Sequence, residues 1–377
     1  MLPSLRIPII QAPMLGASTA AMAAAVCRAG GLGSLPPGLS PAALTQAVEG
    51  LRRATDRPFA VNLFVLDAAR PDEGQVAAAV TSALERLAPY HRELGLPPPR
   101  VPARWAEDFA AQLDAVVACA PAVASFTFGC LSAQQVARLH AAGTAVIGTA
   151  TTVAEARAWA AVGADAVCAQ GSEAGGHRGT FLRPVEESLI GTLALVPAIC
   201  DAVAIPVIAA GGIMDGRGIA AALSLGAWAV QLGTAFLLTD EAATNPAWRR
   251  AIAATRAPRA EGTAEETAEG RAGAEGEDPT RLTRAFSGRT ARGIENRFMR
   301  ELRAVEQELP DYPIQNALTQ ELRAAASRAG RADLLSLWAG QGVRQARALG
   351  AEQLVGVLWR EAQEAAAATL RRTQSGG

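Results

Sequence analysis

Short and almost uninterrupted apolar runs recur along the first 240 residues, and each is followed by a turn and an Ala-rich segment. The stretches AGTAVIGTATTVAEARAWAAVGADAVCAQG and AIPVIAAGGIMDGRGIAAALSLGAWAVQLG show the unit twice. Because the runs do not alternate polar and apolar residues, both faces of each strand must be buried, as in parallel sheets covered by helices. Eight such runs occur, near Ile9–Gln11, Leu32–Leu35, Phe59–Leu63, Val123–Phe128, Ala145–Thr149, Ala166–Gln170, Pro206–Ala210 and Ala229–Gly233.

Eight strand–helix units favour an α/β fold of one type, a closed (β/α)₈ TIM barrel. A doubly wound open sheet is the structural alternative, and it would need a glycine-rich dinucleotide turn. The best candidate for that turn is AGGLGSLPPG at Ala29–Gly38. It places Pro36 where the third glycine of the dinucleotide motif belongs, so the barrel is the prediction.

The pattern changes after the eighth run. Residues from about Asn245 to Gly342 show helical patterning without clear strands. We therefore predict a barrel over 1–240 and a helical substrate or lid domain over 241–344, inserted after the eighth strand. The segment 345–377 is predicted to supply a last helix, near Ala351–Arg372, that returns to complete the barrel.

One segment within the insertion has a different composition. Residues 256–281 consist mostly of Ala, Glu, Gly, Arg and Thr, and threonine is the only β-branched or aromatic residue among them. Such a segment cannot bury enough apolar surface to fold alone. It is predicted to be a flexible surface loop, with an acidic interaction segment as the alternative.

Charge and cysteine content exclude several classes of protein. The formal net charge is -1, so no broad attraction to nucleic acid or to an anionic membrane is expected. The start of the chain lacks signal-peptide features, and no apolar run approaches the ~20 residues of a membrane helix. We expect a soluble, cytoplasmic protein. The five cysteines form no CxxC pair, so no metal site is expected.

Glycines stand at the ends of the last three predicted strands. Gly211 and Gly212 follow the seventh, and Gly233 and Thr234 follow the eighth. Barrel enzymes bind phosphate at this position, where a backbone without side chains exposes N–H groups to an anion. Asp215 would repel an anion, and it is expected to cap the next helix instead.

The combined motifs resemble the nitronate monooxygenase family, formerly called 2-nitropropane dioxygenase. They are QAPM, VNLF, AQGSEAGGHRGTF, IPVIAAGGIMDGRG, AVQLGTAFL and AFSGRTARGIENRF, in order along most of the chain. The resemblance implies an FMN-containing barrel with a helical domain after the eighth strand. Flavin-dependent enoyl-acyl-carrier-protein reductases share this barrel and several of these motifs. The motifs therefore indicate the superfamily more specifically than they indicate the reaction.

The resemblance also implies a set of cofactor-binding residues. Met14 would lie beside the flavin ring, and Asn62 and Gln170 would hydrogen-bond the cofactor. Both amides follow predicted strands and can donate and accept toward a pyrimidine-like edge, although amides that cap a loop are the alternative. The remaining residues would hold the ring edge and the phosphate or approach the flavin from the segment WAGQ: Gly175, Gly176, Gly211, Gly212, Gln231, Leu232, Gly233, Thr234, Gly340 and Gln341.

His177 directly follows Gly175 and Gly176, which would let the backbone pass close to the flavin. In the family this histidine contacts the nitro or nitronate group and acts as a base toward neutral nitroalkanes. The alternative is a loop histidine that bonds the turn. Better-known members carry active-site tyrosines and a lysine, whereas this chain has only Tyr90 and Tyr312 and contains no lysine.

The resemblance therefore implies an FMN-dependent monooxygenase that oxidises alkyl nitronates, and in some members nitroalkanes, with O2 to carbonyl compounds and nitrite. Its partners would be a small nitronate substrate and O2, with no nucleic acid and no membrane, and the protein would be a monomer or homodimer. Two alternatives stay open at this point. They are an NAD(P)H-dependent flavin reductase acting on a quinone or an enoyl thioester, and a flavin-binding protein without turnover.

Overall fold

The computed structural model describes residues 1–66, 73–256 and 278–374. Eight parallel strands form the central sheet: β1 (Ile9–Gln11), β2 (Gly33–Leu35), β3 (Phe59–Phe64), β4 (Val123–Thr127), β5 (Ala145–Ala150), β6 (Ala166–Gln170), β8 (Val207–Ala210) and β9 (Ala229–Leu232). The intervening strand β7 (Gly176–His177) belongs to a second, smaller sheet. Each of the eight predicted runs coincides with a barrel strand to within one residue at either end.

The central sheet closes on itself. Its strand order is β1-β9-β8-β6-β5-β4-β3-β2. The seam between β1 and β2 is joined by two main-chain hydrogen bonds, from Leu32 N–H to the Ile9 carbonyl at 3.0 Å and from Gln11 N–H to the Leu32 carbonyl at 2.9 Å. The predicted (β/α)₈ TIM barrel is thereby confirmed.

Helices cover the outside of the barrel. They are α1 (Ala20–Ala29), α2 (Pro41–Ala54), α3 (Glu73–Glu93), α4 (Phe109–Cys119), α5 (Ala133–Ala141), α6 (Val153–Ala161), α7 (Thr192–Cys200) and α8 (Gly216–Ser224). Most begin at a side chain that accepts an otherwise unpaired N–H of the first turn. Asp215 is one of these caps, as predicted, because its Oδ1 accepts the Gly218 N–H at 3.1 Å.

The last helix, α13 (Ala351–Gln374), fills the gap in the outer layer between α8 and α1. Its apolar face, which includes Leu354, Leu358 and Ala362, is buried. Gly216 lets α8 approach closely, since a Cβ at that position would lie 2.2 Å from the Glu361 carbonyl carbon. No helix in the described part of the chain is long and apolar enough to cross a membrane.

Between β9 and α13 the chain forms α9 (Pro246–Ala254), β10 (Thr280–Thr283), β11 (Ala291–Ile294), α10 (Arg297–Leu302), α11 (Ile314–Leu318) and α12 (Gln320–Arg328). The expectation of a stretch without strands was wrong here. Strands β10, β11 and β7 make an antiparallel sheet in which Ala291 pairs with His177. The strands escaped notice because TRLT and ARGI are four residues long and each contains an arginine, so neither makes an apolar run.

This small sheet joins the inserted segment to the loop that carries His177. Of the predicted loop at 256–281, residues 257–277 lie outside the described residues. Thr280 and Arg281, at its end, begin β10. The division into units at 240 and 344 stays a prediction.

Candidate active site

A cavity of about 420 Å³ opens at the carboxyl ends of the barrel strands and is covered by the segment that follows β9. Twelve of the fourteen predicted site residues line it, so the structure brings together positions that are up to 326 residues apart. They are Met14, Asn62, Gln170, Gly175, Gly176, His177, Gly211, Gly212, Gln231, Gly233, Thr234 and Gly340. Their binding and catalytic roles stay predictions.

The other two predicted residues do not line the cavity. Leu232 is buried in the barrel core. Gln341 is exposed, and its side chain donates to Asp278 Oδ2 at 2.6 Å while its main-chain N–H donates to the Glu173 carbonyl. Neither side chain therefore forms part of the cavity wall.

One end of the cavity is built from backbone. Gly211 and Gly212 follow β8 with φ of 117° and 71°, in the left-handed region that favours glycine. Among the described residues, no acceptor is seen for the N–H groups of Gly212, Gly233 and Thr234. Because β8 and β9 are neighbours about 4.8 Å apart, these donors lie close together. This group of donors, the glycine cradle, suits one anionic group.

Close packing of two loops explains the glycines beside this cradle. A Cβ on Gly175 would lie 2.5 Å from the Gly340 nitrogen, and a Cβ on Gly340 would lie 2.6 Å from the Glu173 carbonyl oxygen. The Gly340 N–H donates to Thr234 Oγ1 at 2.9 Å. The loops after β6, after β9 and before α13 therefore meet at the cavity wall.

Asn62, at the end of β3, supplies an unpaired acceptor. Its Nδ2 donates to the carbonyl oxygen and the hydroxyl of Ser125 at 3.1 and 2.9 Å, which fixes the orientation of the amide. Its Oδ1 is buried and has no partner. A buried acceptor without a donor is costly. The N–H of a flavin pyrimidine edge would satisfy it, so the side chain fits the cofactor that the resemblance implies.

Gln170 has a second task that the sequence did not reveal. Its Nε2 donates to the His177 carbonyl at 3.0 Å, and its Oε1 accepts the Gly179 N–H at 2.8 Å. The amide thus ties the loop after β6 to the strand from which it leaves. One N–H and one lone pair remain for a ligand.

Two buried charged residues also hold this loop. Arg178 donates to the carbonyls of Gly171, Gln170 and Ser188, and burial lowers the pKa of its guanidinium to about 10. The Glu155 carboxylate accepts the N–H groups of residues 181 and 182 and the Thr180 hydroxyl. The loop that positions His177 is therefore fixed from both sides.

The hydrogen bonds of Ser287 indicate the tautomer of His177. Its Oγ lies 2.8 Å from His177 Nε2 and 3.0 Å from the Arg289 carbonyl. A carbonyl can only accept, so both bonds form when the hydroxyl donates to Arg289 and the imidazole Nε2–H donates to Ser287. The other nitrogen, Nδ1, then carries a lone pair. It has no partner among the described residues and is not occluded, so it is open to the cavity.

The surroundings keep His177 neutral. Burial lowers its pKa to about 3, and the positive charges of Arg289 and Arg323 act in the same direction. The imidazole therefore carries no charge at neutral pH. An anion bound beside it would raise this pKa, because it would stabilise the imidazolium.

Aromatic rings surround His177, and the sequence analysis had missed most of them. Phe128, Trp338, Tyr312 and Phe64 have ring centroids 5.4, 5.5, 5.7 and 6.2 Å from the imidazole. Phe128 has φ of 82°, a strained conformation for a bulky residue, and it stacks on Phe64. Such strain at a cavity wall is characteristic of functional sites.

The two tyrosines are in different surroundings. Tyr312 lines the cavity, and burial raises its pKa to about 12. Tyr90 lies between α3 and α10, where its hydroxyl donates to Glu301. Only Tyr312 is therefore placed to meet a substrate. Its position between α10 and α11 carries no strand-end signal that sequence reasoning could use.

The fold and cavity define a class of protein, a TIM barrel whose cavity has free backbone N–H groups on one side and an unpaired amide oxygen and a neutral histidine on the other. Comparison with known proteins narrows the class. The nitronate monooxygenase family model matches residues 2–260 and 259–361. A probable nitronate monooxygenase from Staphylococcus aureus (strain Newman) is 41% identical over 345 residues, which cover 91% of this chain and 90% of the relative.

Solved structures agree. A nitroalkane oxidase from Streptomyces ansochromogenes is 42% identical, has a TM-score of 0.82 and covers 97% of this chain and 98% of its own. FabK from Thermotoga maritima is 28% identical with a TM-score of 0.69, over 99% of this chain and 96% of its own. The chain belongs to the nitronate monooxygenase family, whose members are flavin-dependent oxidoreductases that act on nitronates, so the resemblance is confirmed.

Proposed function

We propose that this enzyme binds FMN and oxidises alkyl nitronates and nitroalkanes with O2 to carbonyl compounds and nitrite. The observation that carries the proposal is the Nδ1 lone pair of His177, which opens into the cavity that also holds the anion cradle. The relative from Streptomyces ansochromogenes, a nitroalkane oxidase, supports the inclusion of nitroalkanes.

FMN suits the cavity better than a larger flavin nucleotide. The free N–H groups of Gly212, Gly233 and Thr234 gather at the ends of two adjacent strands, which matches one phosphate. Asn62 Oδ1 lies on the other side of the barrel, at β3. A single mononucleotide would place its phosphate at the glycines and its ring edge at this amide.

His177 is proposed to remove the α-proton of a neutral nitroalkane. Its Nδ1 lone pair can accept the proton, while Nε2–H keeps the ring in place through Ser287. The resulting imidazolium and nitronate would stabilise each other. A bound flavin supplies the oxidation by O2, chemistry that amino-acid side chains do not provide.

The direction of the His177 pKa shift sets a pH dependence. In the unfolded chain this imidazole would titrate at its ordinary value of 6.5, but in the folded protein the pKa is about 3. Between these values the unfolded state binds more protons, so folding stability is lost as the pH falls from 6.5 toward 3. In the folded protein the imidazole stays neutral throughout this window and above it.

An anaerobic mixing experiment tests the function. The purified protein, reconstituted with FMN, is mixed with ethyl nitronate and separately with NADH, and the flavin absorbance at 450 nm is followed. The proposal expects a rapid change with the nitronate, turnover when O2 is admitted, and only slow change with NADH. Rapid bleaching by NADH and no response to the nitronate would instead establish a reductase.

A further inference from the structure

One positively charged side chain lines the cavity. Arg323 is the only charged side chain among the described residues that line it, and no aspartate or glutamate lines the wall. A cavity with a single guanidinium and no carboxylate attracts anions. Nothing in the sequence motifs had drawn attention to this arginine.

The bonds of Arg323 leave one nitrogen free. Its Nε donates to Thr319 Oγ1 at 3.2 Å, and its Nη2 donates to the carbonyl oxygen and Oδ1 of Asn316 at 2.8 and 2.9 Å. In the described part of the chain no carboxylate lies within 4.0 Å of it, and Nη1 has no partner and is not occluded. Burial lowers the pKa of the guanidinium to about 10, so it is charged at neutral pH.

The helical segment that carries Arg323 turns a polar face to the cavity. Asn316, Gln320, Arg323 and Ser327 all line the cavity, at the three- and four-residue spacing of one helix face. The face of a helix that packs toward the interior is ordinarily apolar. This polar stripe therefore indicates contact with a polar ligand.

Arg323 belongs to the end of the cavity opposite the glycine cradle. Its charge acts on His177 and on Tyr312, and the Tyr312 ring lies 6.0 and 5.3 Å from the rings of Phe64 and Phe128. Those phenylalanines stand at the ends of β3 and β4, across the barrel from β8 and β9. Arg323 is thus placed near the histidine and away from the phosphate site.

We infer that Arg323 is the anion-binding residue of the substrate end, and that its free Nη1 donates to the oxygens of the bound nitronate. The identity of this anion rests on the proposed function. A nitronate spreads one negative charge over two oxygens of a planar group, which suits a planar guanidinium donor. His177 cannot fill this role in its neutral form, because its open nitrogen is an acceptor.

The same residue would assist proton removal from a nitroalkane. The neutral substrate gains its negative charge only as the α-proton moves to His177 Nδ1. A fixed cation beside the nitro oxygens stabilises that developing charge more than it stabilises the neutral substrate. Arg323 is therefore expected to affect both the binding of nitronates and the rate of nitroalkane turnover.

The test measures the binding of inorganic nitrate, a planar anion with the shape of the nitronate group. Nitrate is titrated calorimetrically into the FMN-loaded protein in chloride-free buffer, for the wild type, Arg323→Gln and Arg323→Lys. Loss of a charge-assisted bond should weaken nitrate about tenfold to a hundredfold in Arg323→Gln, and less in Arg323→Lys. The Michaelis constant for ethyl nitronate should rise by a similar factor.

Arg328→Gln is the matched control, since Arg328 is exposed on the same helix and its loss changes the net charge equally. Nitrate binding should be unchanged in this variant. Nitrate that binds Arg323→Gln as tightly as wild type, or that wild type does not bind, would overturn the inference. If Arg323→Gln fails to fold, the inference is tested by comparing nitrate binding to Arg323→Lys with nitrate binding to the wild type. If nitrate binding depends on Arg323 but the protein does not oxidise nitronates, the proposed function is refuted and the anion-binding role of Arg323 stands.

Discussion

The two ends of the cavity are formed by different chemical groups, main-chain N–H groups at one end and side chains at the other. The proposed phosphate end consists of main-chain groups of Gly212, Gly233 and Thr234, which directly follow barrel strands. The proposed substrate end consists of side chains, among them Tyr312 and Arg323, which come from the segment after β9. The phosphate end constrains the sequence most tightly at Gly212, because its φ of 71° lies in the left-handed region that favours glycine. Side chains presented by helices can be exchanged, so this end is free to set substrate preference.

The largest expected effect concerns the substrate end. We expect His177→Ala to lower turnover of neutral nitroethane ~10²–10⁴-fold, the usual contribution of a positioned base. FMN content should be unchanged, because the cradle at the other end is untouched. Steady-state kinetics on nitroethane and on ethyl nitronate separate the roles, since the nitronate needs no proton removed and should be affected much less.

His140→Ala is a suitable control, because His140 bonds Asp165 at the surface and does not line the cavity. In the wild type, nitroethane kcat/KM should show no loss from His177 protonation between pH 8 and 6.5, given its lowered pKa. A yellow His177→Ala protein with wild-type rates on nitroethane would remove this histidine from catalysis. Loss of flavin would instead show that the two ends are not independent.

The next effect concerns the phosphate end. We expect Gly212→Val to weaken FMN binding at least tenfold while nitronate turnover per bound flavin changes little. Gly212 has φ of 71°, and a Cβ there would lie 3.2 Å from Glu173 Cβ. Relief of the ~1–2 kcal/mol of strain at this φ is expected to turn the Gly212 N–H away from the bound phosphate. Loss of one charge-assisted hydrogen bond, about 1.5 kcal/mol or more, corresponds to about tenfold in affinity. Fluorescence titration of FMN into apoprotein measures the change.

Gly143→Val separates backbone strain from loss of the cradle. Gly143 has a similar φ of 80°, has nothing within 4 Å of an added Cβ, and lies between α5 and β5. This variant should be destabilised yet retain FMN. Equal loss of FMN from both variants would mean that general destabilisation, not the cradle, controls cofactor retention.

The sequence predicted the barrel and the glycines that line one end of the cavity, and the reason is physical. A parallel strand buried on both faces needs an apolar run, and Gly211 and Gly212 occupy left-handed conformations where other residues are disfavoured. Both constraints limit which residue types can occur, so both can be recognised in a single sequence. The same logic identified Asp215 as a cap, because an N-terminal helix position favours a short acceptor side chain.

The substrate end could not be predicted in this way. Tyr312 lies in the turn before α11, and Arg323 lies in α12, whose polar residues are typical of any exposed helix. Only tertiary packing brings the two side chains to the cavity. Phe128 was the last residue of one predicted strand and Phe64 directly followed another, but nothing local shows that their rings meet His177. Gln170 illustrates a mixed case, since its position was predicted and its bond to the loop was not.

The smallest expected effect concerns Ser287, a positioning residue behind the histidine. Its hydroxyl donates to the Arg289 carbonyl and receives Nε2–H, which keeps the Nδ1 lone pair toward the cavity. In Ser287→Ala either nitrogen of His177 can carry the proton, and one net hydrogen bond of about 1 kcal/mol is lost. We expect kcat/KM for nitroethane to fall about threefold to tenfold, with FMN content unchanged.

The comparison of substrates decides whether Ser287 acts through the histidine. Only the nitroalkane needs a lone pair on Nδ1, so kcat/KM for ethyl nitronate should fall less than that for nitroethane. Ser287→Thr, which keeps the hydroxyl, should recover part of the nitroethane activity. If the serine had only a structural role, its loss would lower kcat/KM for both substrates by the same factor. Equal losses in Ser287→Ala would therefore show that the tautomer of His177 is set by something other than this bond, and that its open nitrogen is not the proton acceptor.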